Sequence, residues 1–136
     1  MQIHSQLLQD CHVLGQFETC HVLLHRNAIV PWFILVPATD QIDLLDLPAE
    51  SRSQVLQECE TISRYLKGPL GYPKVNFAAL GNVVPQLHIH VIGRKLGDDC
   101  WPAPVWGNLT GSVDYKPADL NMICRTLSEK FGMQVN

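Results

Sequence analysis

Gln86-Leu87-His88-Ile89-His90-Val91-Ile92 alternates three polar side chains with three apolar ones before closing on Ile92. A strand sends successive side chains to opposite faces. The run therefore predicts Gln86, His88 and His90 in a row on one face, with Leu87, Ile89 and Val91 as an apolar wall on the other. Neighbours in the row would stand about 6.6 Å apart along the strand, a spacing at which two imidazoles can touch different oxygens of one phosphate. A half-buried strand whose histidines simply face solvent would alternate in the same way. The row follows a turn and has Asn76, Asn82 and Arg94 nearby in sequence, which favours a site. A His-x-His pair is also good geometry for zinc or iron, with His21 or His25 as the third ligand, although no acidic residue lies close to the pair in sequence.

Before this stretch, Lys74 to Ala79 reads as a strand joined to it by a short loop with Gly81, Asn82 and Pro85; such close neighbours predict an antiparallel pair. Val55, Cys59, Ile62 and Leu66 recur at steps of four, three and four. They predict one buried stripe on a helix that opens near Asp46 and Pro48 and stops before Gly68-Pro69. Phe17 to Leu24 and Trp32 to Val36 read as two more strands, and Ile3, Leu7, Leu8 and Cys11 as a short helix ending near Gly15. After Gly97, the segment from Asp98 to Gly107 is too rich in proline for a helix or central strand and predicts a structured loop. Pro117 opens a last helix carrying Leu120, Ile123, Cys124, Leu127 and Phe131, with Gly132 near its end. The expected fold class is α+β, one domain over residues 1–136, built on an antiparallel sheet with two or three helices. Dimerisation is a reasonable way to cover a sheet face that so small a chain leaves open.

A chain of 136 residues with 46% hydrophobic content can build one packed core. A net charge of −3, with 17% charged residues and no basic block, provides no footprint for a nucleic-acid duplex but leaves a small phosphorylated ligand open. Met1 to Gln9 lacks the pattern of a signal peptide, and the longest apolar run, interrupted by Pro31 and Pro37, is too short to span a bilayer. A cytoplasmic protein without a membrane partner is the expectation. The five scattered cysteines, Cys11, Cys20, Cys59, Cys100 and Cys124, are expected to be reduced. Cys11-His12 and Cys20-His21 lack the tight Cys-x-x-Cys pairing of a zinc site.

The stretch Gln86 to Ile92 resembles the histidine-triad motif of nucleotide hydrolases and transferases, His-φ-His-φ-His-φ-φ. The likeness extends to the strand ending in Ile34-Leu35-Val36-Pro37, the following helix, Asn76, the Gly81-Asn82 turn and the Trp101-Pro102 loop, covering most of residues 17–107. It implies a histidine-triad (HIT) α+β domain, usually a homodimer with sheets joined edge to edge. It also implies an enzyme similar to bacterial nucleotide hydrolases, diadenosine tetraphosphate hydrolases among them, acting on a dinucleoside polyphosphate or nucleoside phosphoramidate.

By the resemblance, His88 is the nucleophile that attacks the α-phosphorus, its tautomer fixed by a backbone carbonyl such as that of Gln86. His90 donates to phosphate oxygens, Asn76 and Asn82 orient phosphates, and Asn27 meets the ribose hydroxyls, with His25 as the competitor. Trp101 or Trp106 approaches the leaving group or a partner subunit, a core role being the alternative. No cofactor is implied, although a divalent cation can accompany a polyphosphate. Gln86 stands where the first histidine of the triad belongs, and an amide cannot carry a proton at neutral pH; the family includes members with such a replacement. Two other readings stay open: a nucleotide-binding protein with little turnover, and a small metal-dependent enzyme using His88 and His90.

Overall fold

The computed structural model describes residues 1–136. Its chain order is α1 (Ser5–Asp10), β1 (Cys11–Gln16), β2 (Cys20–His25), β3 (Trp32–Pro37), α2 (Ala49–Lys67), β4 (Lys74–Ala78), β5 (Ile89–Arg94), α3 (Pro117–Phe131) and β6 (Gln134–Val135). The six strands form one antiparallel sheet in the order β4-β5-β3-β2-β1-β6. The α+β fold read from the sequence is the one observed.

Alternation along the central strands sorts the apolar residues into two cores. Val22 and Leu24 of β2, Phe33 and Leu35 of β3, and Ile89 and Val91 of β5 pack under α2, whose Val55, Cys59, Ile62 and Leu66 are all buried. Leu127 of α3 closes the same core. The opposite face carries Leu23, Ile34, Val36 and Ile92, covered by Leu7 of α1, Val84 and Val105. His88 and His90 lie on this second face, both almost fully buried.

The structure corrects three boundaries. The first helix ends at Asp10 instead of near Gly15, because Cys11 begins a strand whose backbone groups pair with β2 from Cys11↔His25 to Gln16↔His21. The second strand starts at Cys20; Phe17 and Cys20 instead close a turn in which the Phe17 N–H donates to the Cys20 carbonyl at 2.8 Å. The histidine strand becomes regular only at Ile89, where pairing to β3 and β4 begins with Leu35↔Ile89 and Ala78↔His90. Gln86 to His88 therefore precede the ladder, although Leu87 still enters the large core and His88 the opposite face.

Two strands have no counterpart in the sequence analysis, β1, which replaces the expected end of the first helix, and β6. β6 pairs with β1 through Gly15↔Val135 and Gln16↔Gln134. A methyl group at Gly15 would overlap the carbonyl of Gln134, so only glycine allows this approach.

Two buried charges fasten the frame. Glu58 of α2 accepts from the backbone N–H groups of Thr19 (3.1 Å) and Cys20 (2.8 Å) and from Gln54 Nε2 (2.8 Å), tying the helix to the start of β2. Arg94, only 1% exposed, donates to Asp98 Oδ2 at 2.7 Å, Asn76 Oδ1 at 2.9 Å and the Ala103 carbonyl at 2.9 Å. These contacts anchor the proline-rich loop to the end of β5.

Candidate active site

Strand register assembles the site. Ile34 of β3 stands opposite His90 of β5 and Trp32 opposite Ile92, so Trp32 is a diagonal neighbour of His90. The β2–β3 pairing runs through Leu24↔Phe33, which brings His25 alongside Trp32. Their rings stack at 4.3 Å with planes 11° apart. The His88 and His90 rings lie 5.0 Å apart, edge to face.

These groups open on a cavity of about 430 Å³ whose lining includes His25, Trp32, Asn82, His88, His90 and Trp106. A second cavity of about 420 Å³ is lined by Asp43, Asp46, Leu87 and their neighbours. The two share Leu80, Gly81 and His88, so His88 stands at their junction.

Hydrogen bonds assign the tautomer of each imidazole. His88 Nδ1 lies 2.7 Å from the backbone carbonyl of Gln86. A carbonyl oxygen only accepts, so Nδ1 carries the proton and Nε2 keeps its lone pair. His25 is the reverse: its Nδ1 accepts the backbone N–H of Asn27 at 3.1 Å, which leaves the proton on Nε2. His90 Nδ1 accepts the indole N–H of Trp32 at 2.9 Å. Burial holds the His25 pKa below its ordinary value. Burial, with the neighbouring His88 and His25 adding to it, brings that of His90 down to about 3. A phosphate in this cavity would thus meet one lone pair and two neutral N–H donors.

The remaining sequence-selected residues are distributed unevenly. Asn82 lines the cavity. The Gln86 side chain turns to the amino-terminal arm: Oε1 accepts the His4 N–H at 2.8 Å and Nε2 donates to the Gln2 carbonyl at 2.9 Å. Asn27 Oδ1 accepts from the N–H groups of Ile29 and Val113, both at 3.1 Å, and Nδ2 donates to the Gly111 carbonyl at 3.0 Å. Its amide is spent on fastening the segment before α3, and His25 is the residue that reaches the cavity. Asn76 Oδ1 is taken by Arg94. Trp106 packs its ring 4.9 Å from His90, whereas Trp101 lies under the Arg94 guanidinium at 5.7 Å.

Sequence reasoning missed Trp32 and the wall supplied by α1. Trp32 was read only as the start of a strand, yet it touches His25, His90 and Trp106. Its position directly after Pro31, at the mouth of a buried strand, was the available signal. Gln6, Leu7 and Asp10 of α1 also line the cavity, with Gln6 Nε2 donating to both Asp10 carboxylate oxygens at 3.1 Å. Nothing in their spacing beyond amphipathicity pointed there. No three His, Cys, Asp or Glu side chains converge as a ligand set for a metal ion. The five cysteines are unpaired, and no helix is long and apolar enough to cross a membrane.

The HIT domain family model matches residues 6–97. Among solved structures the chain is similar to a histidine triad protein from Bradyrhizobium japonicum, with 35% identity, 95% of this chain and 96% of that one covered, and a TM-score of 0.87. It is similar to another from Marinobacter aquaeolei VT8, with 39% identity, 93% and 92% covered, and a TM-score of 0.85. A third, from Sinorhizobium meliloti 1021, has 31% identity, 94% and 95% covered, and a TM-score of 0.87. No curated protein sequence matches it. The chain belongs to the histidine triad, or HIT, family.

Proposed function

We propose that the protein is a nucleotide phosphohydrolase or nucleotidyl transferase that acts at an α-phosphate through a nucleotidyl-His88 intermediate. The observation that carries this reading is the 2.7 Å contact between His88 Nδ1 and the Gln86 carbonyl, which leaves Nε2 free at the junction of two cavities. In the first step the Nε2 lone pair forms a bond to the α-phosphorus. The bond from phosphorus to the leaving group breaks, and its electron pair departs with that group. His88 keeps its Nδ1 proton and becomes a cationic adduct, stabilised by the carbonyl it faces. Water or another acceptor then attacks phosphorus and gives up a proton to solvent, while the phosphorus–Nε2 bond breaks and returns its electron pair to Nε2.

The cavity that holds His25, Asn82 and His90 suits the nucleoside phosphate, and the leaving group would depart on the side of the second cavity, whose lining includes Asp43 and Asp46. Dinucleoside polyphosphates and nucleoside phosphoramidates both divide in this way. A divalent cation would travel with a polyphosphate substrate and not belong to the nucleophile. A homodimer is also proposed, through the outer edge of β4, where Phe77 is 49% exposed and shares a groove with Leu56 of α2.

Incubation with diadenosine tetraphosphate, a quench in mild alkali and mass spectrometry would test the chemistry. The expected result is an adenylyl adduct on His88, lost together with turnover in His88→Ala. Tight nucleotide binding with neither adduct nor product would instead make the protein a binding module.

A further inference from the structure

The bond from Trp32 to His90 constrains the reaction more than its place in the core requires. An indole N–H can only donate, so the His90 Nδ1 that receives it at 2.9 Å must present a lone pair. The single ring proton of His90 then sits on Nε2. Adding a second proton would set an Nδ1–H against the Trp32 N–H, donor against donor. It would also place a cation in a site only 5% exposed and 5.0 Å from the ring of His88, which itself turns cationic when it takes up a phosphoryl group. Phenylalanine at position 32 would keep an aromatic ring in the strand, though a smaller one; only tryptophan supplies the N–H.

We propose that Trp32 is a positioning residue: its indole N–H holds His90 as a neutral Nε2–H donor, so the triad offers no proton to the leaving group and favours groups that depart as anions over those that depart as amines. This rests on the His88 mechanism above. Asp43 and Asp46, from the segment before α2, line the cavity on the leaving-group side as carboxylates, which accept hydrogen bonds, and the other groups around the site do not replace the missing acid. Gln86 has no titratable proton, and its amide is committed to His4 and Gln2. His88 keeps its Nδ1 proton, donated to the Gln86 carbonyl. His25, facing from β2, accepts a backbone N–H on Nδ1 as His90 accepts the indole. Asp10, from α1, accepts from Gln6 on both oxygens. Arg94, further along β5, is paired with Asp98, and Ala78 and Trp106, packed from β4 and the following loop, do not ionise.

The consequence falls on the second half of the substrate. Phosphate, pyrophosphate or a nucleotide leaves with the electron pair of its broken bond and remains a stable anion at neutral pH. An alkylamine leaving from a phosphoramidate must take up a proton as the phosphorus–nitrogen bond breaks. The native protein is therefore expected to discriminate strongly in favour of an anionic leaving group.

The test has a spectroscopic and a kinetic arm. In native protein labelled with 15N at histidine, His90 should show an Nδ1 without a proton and an Nε2 with one, and should not titrate between pH 8 and pH 5 (roughly the range of ordinary histidines). Trp32→Phe should give His90 a titration inside that range. In parallel, kcat/KM is measured from pH 8 to pH 5 for adenosine 5′-monophosphate p-nitrophenyl ester and for an adenosine 5′-phosphoramidate of an alkylamine. Native protein should prefer the ester, and Trp32→Phe should shift the ratio towards the phosphoramidate at pH 5 by about tenfold to a hundredfold, up to the low end of what a positioned general acid supplies. A native His90 protonated on Nδ1, or a variant with unchanged His90 titration and an unchanged ratio, would overturn the proposal. If neither substrate is turned over while His90 shows the assigned tautomer, the reaction is misassigned and the leaving-group preference falls with it, although the tautomer stands.

Discussion

At the scale of single residues, the question the sequence posed concerned Gln86, and the structure gives its amide a task away from phosphorus. Two hydrogen bonds clasp the backbone on both sides of Ile3, and the arm so held leads into Gln6, Leu7 and Asp10 on the wall of the cavity. A glutamine matches one donor and one acceptor at once, which a single imidazole tautomer does only through opposite edges of a rigid ring. Gln86→Ala should cost about 0.5–1.5 kcal/mol for each bond lost. It should raise KM severalfold with kcat little changed, and speed deuterium exchange at the His4 amide. A fall in kcat as large as that of His88→Ala would show that the side chain takes part in the chemistry. Position and residue type alone revealed His88 and His90, because alternation is local. The contacts of Asn27, Asn76 and Trp32 span 58 residues in the case of Trp32 and His90 and 84 for Asn27 and Gly111, separations at which spacing carries no signal.

Elements that bury one regular face were legible. The stripe of α2 is buried as read, and its two further buried residues, Glu58 and Tyr65, show where spacing underestimates contact. Glu58 is the telling one. A carboxylate in a helix interior looks like a solvated face, but this one accepts from the two N–H groups at the start of β2, that of Cys20 in a fully buried contact. Glu58→Ala should leave both donors unsatisfied and lower stability by about 2–3 kcal/mol, read from the midpoint of urea unfolding. Loss of less than about 0.5 kcal/mol would mean that the strand finds other partners. The elements that escaped notice are those without a period of their own. β6 has two residues, and β1 follows a six-residue helix without an intervening breaker. In both cases pairing with a neighbour decides the conformation.

On the scale of the whole molecule, the sheet has two unlike ends. At one, β6 covers β1 only over Gly15 and Gln16. At the other, β4 exposes its outer edge over Lys74–Ala78, flanked by exposed Phe77 and Leu56. An edge of this kind invites pairing with another chain. Native protein at micromolar concentration should sediment as a dimer and Phe77→Glu as a monomer; a monomeric native protein would reject the edge-to-edge assembly. The fold class was readable because hydrophobic alternation encodes it, whereas the second core was not: the sheet face expected to stand open is covered within the chain by Leu7 of α1, Val84 and Val105. The strand order was not, since it depends on which edges meet after the helices are placed. The arrangement of the tryptophans also makes the molecule its own optical probe. Two of its three indoles, Trp32 and Trp106, line the cavity, while Trp101 is held against Arg94. Emission from the cavity pair will register the arrival of a nucleotide or a change of charge on the neighbouring imidazoles, so occupancy can be followed by fluorescence with no dye attached and with Trp101 as the steadier background.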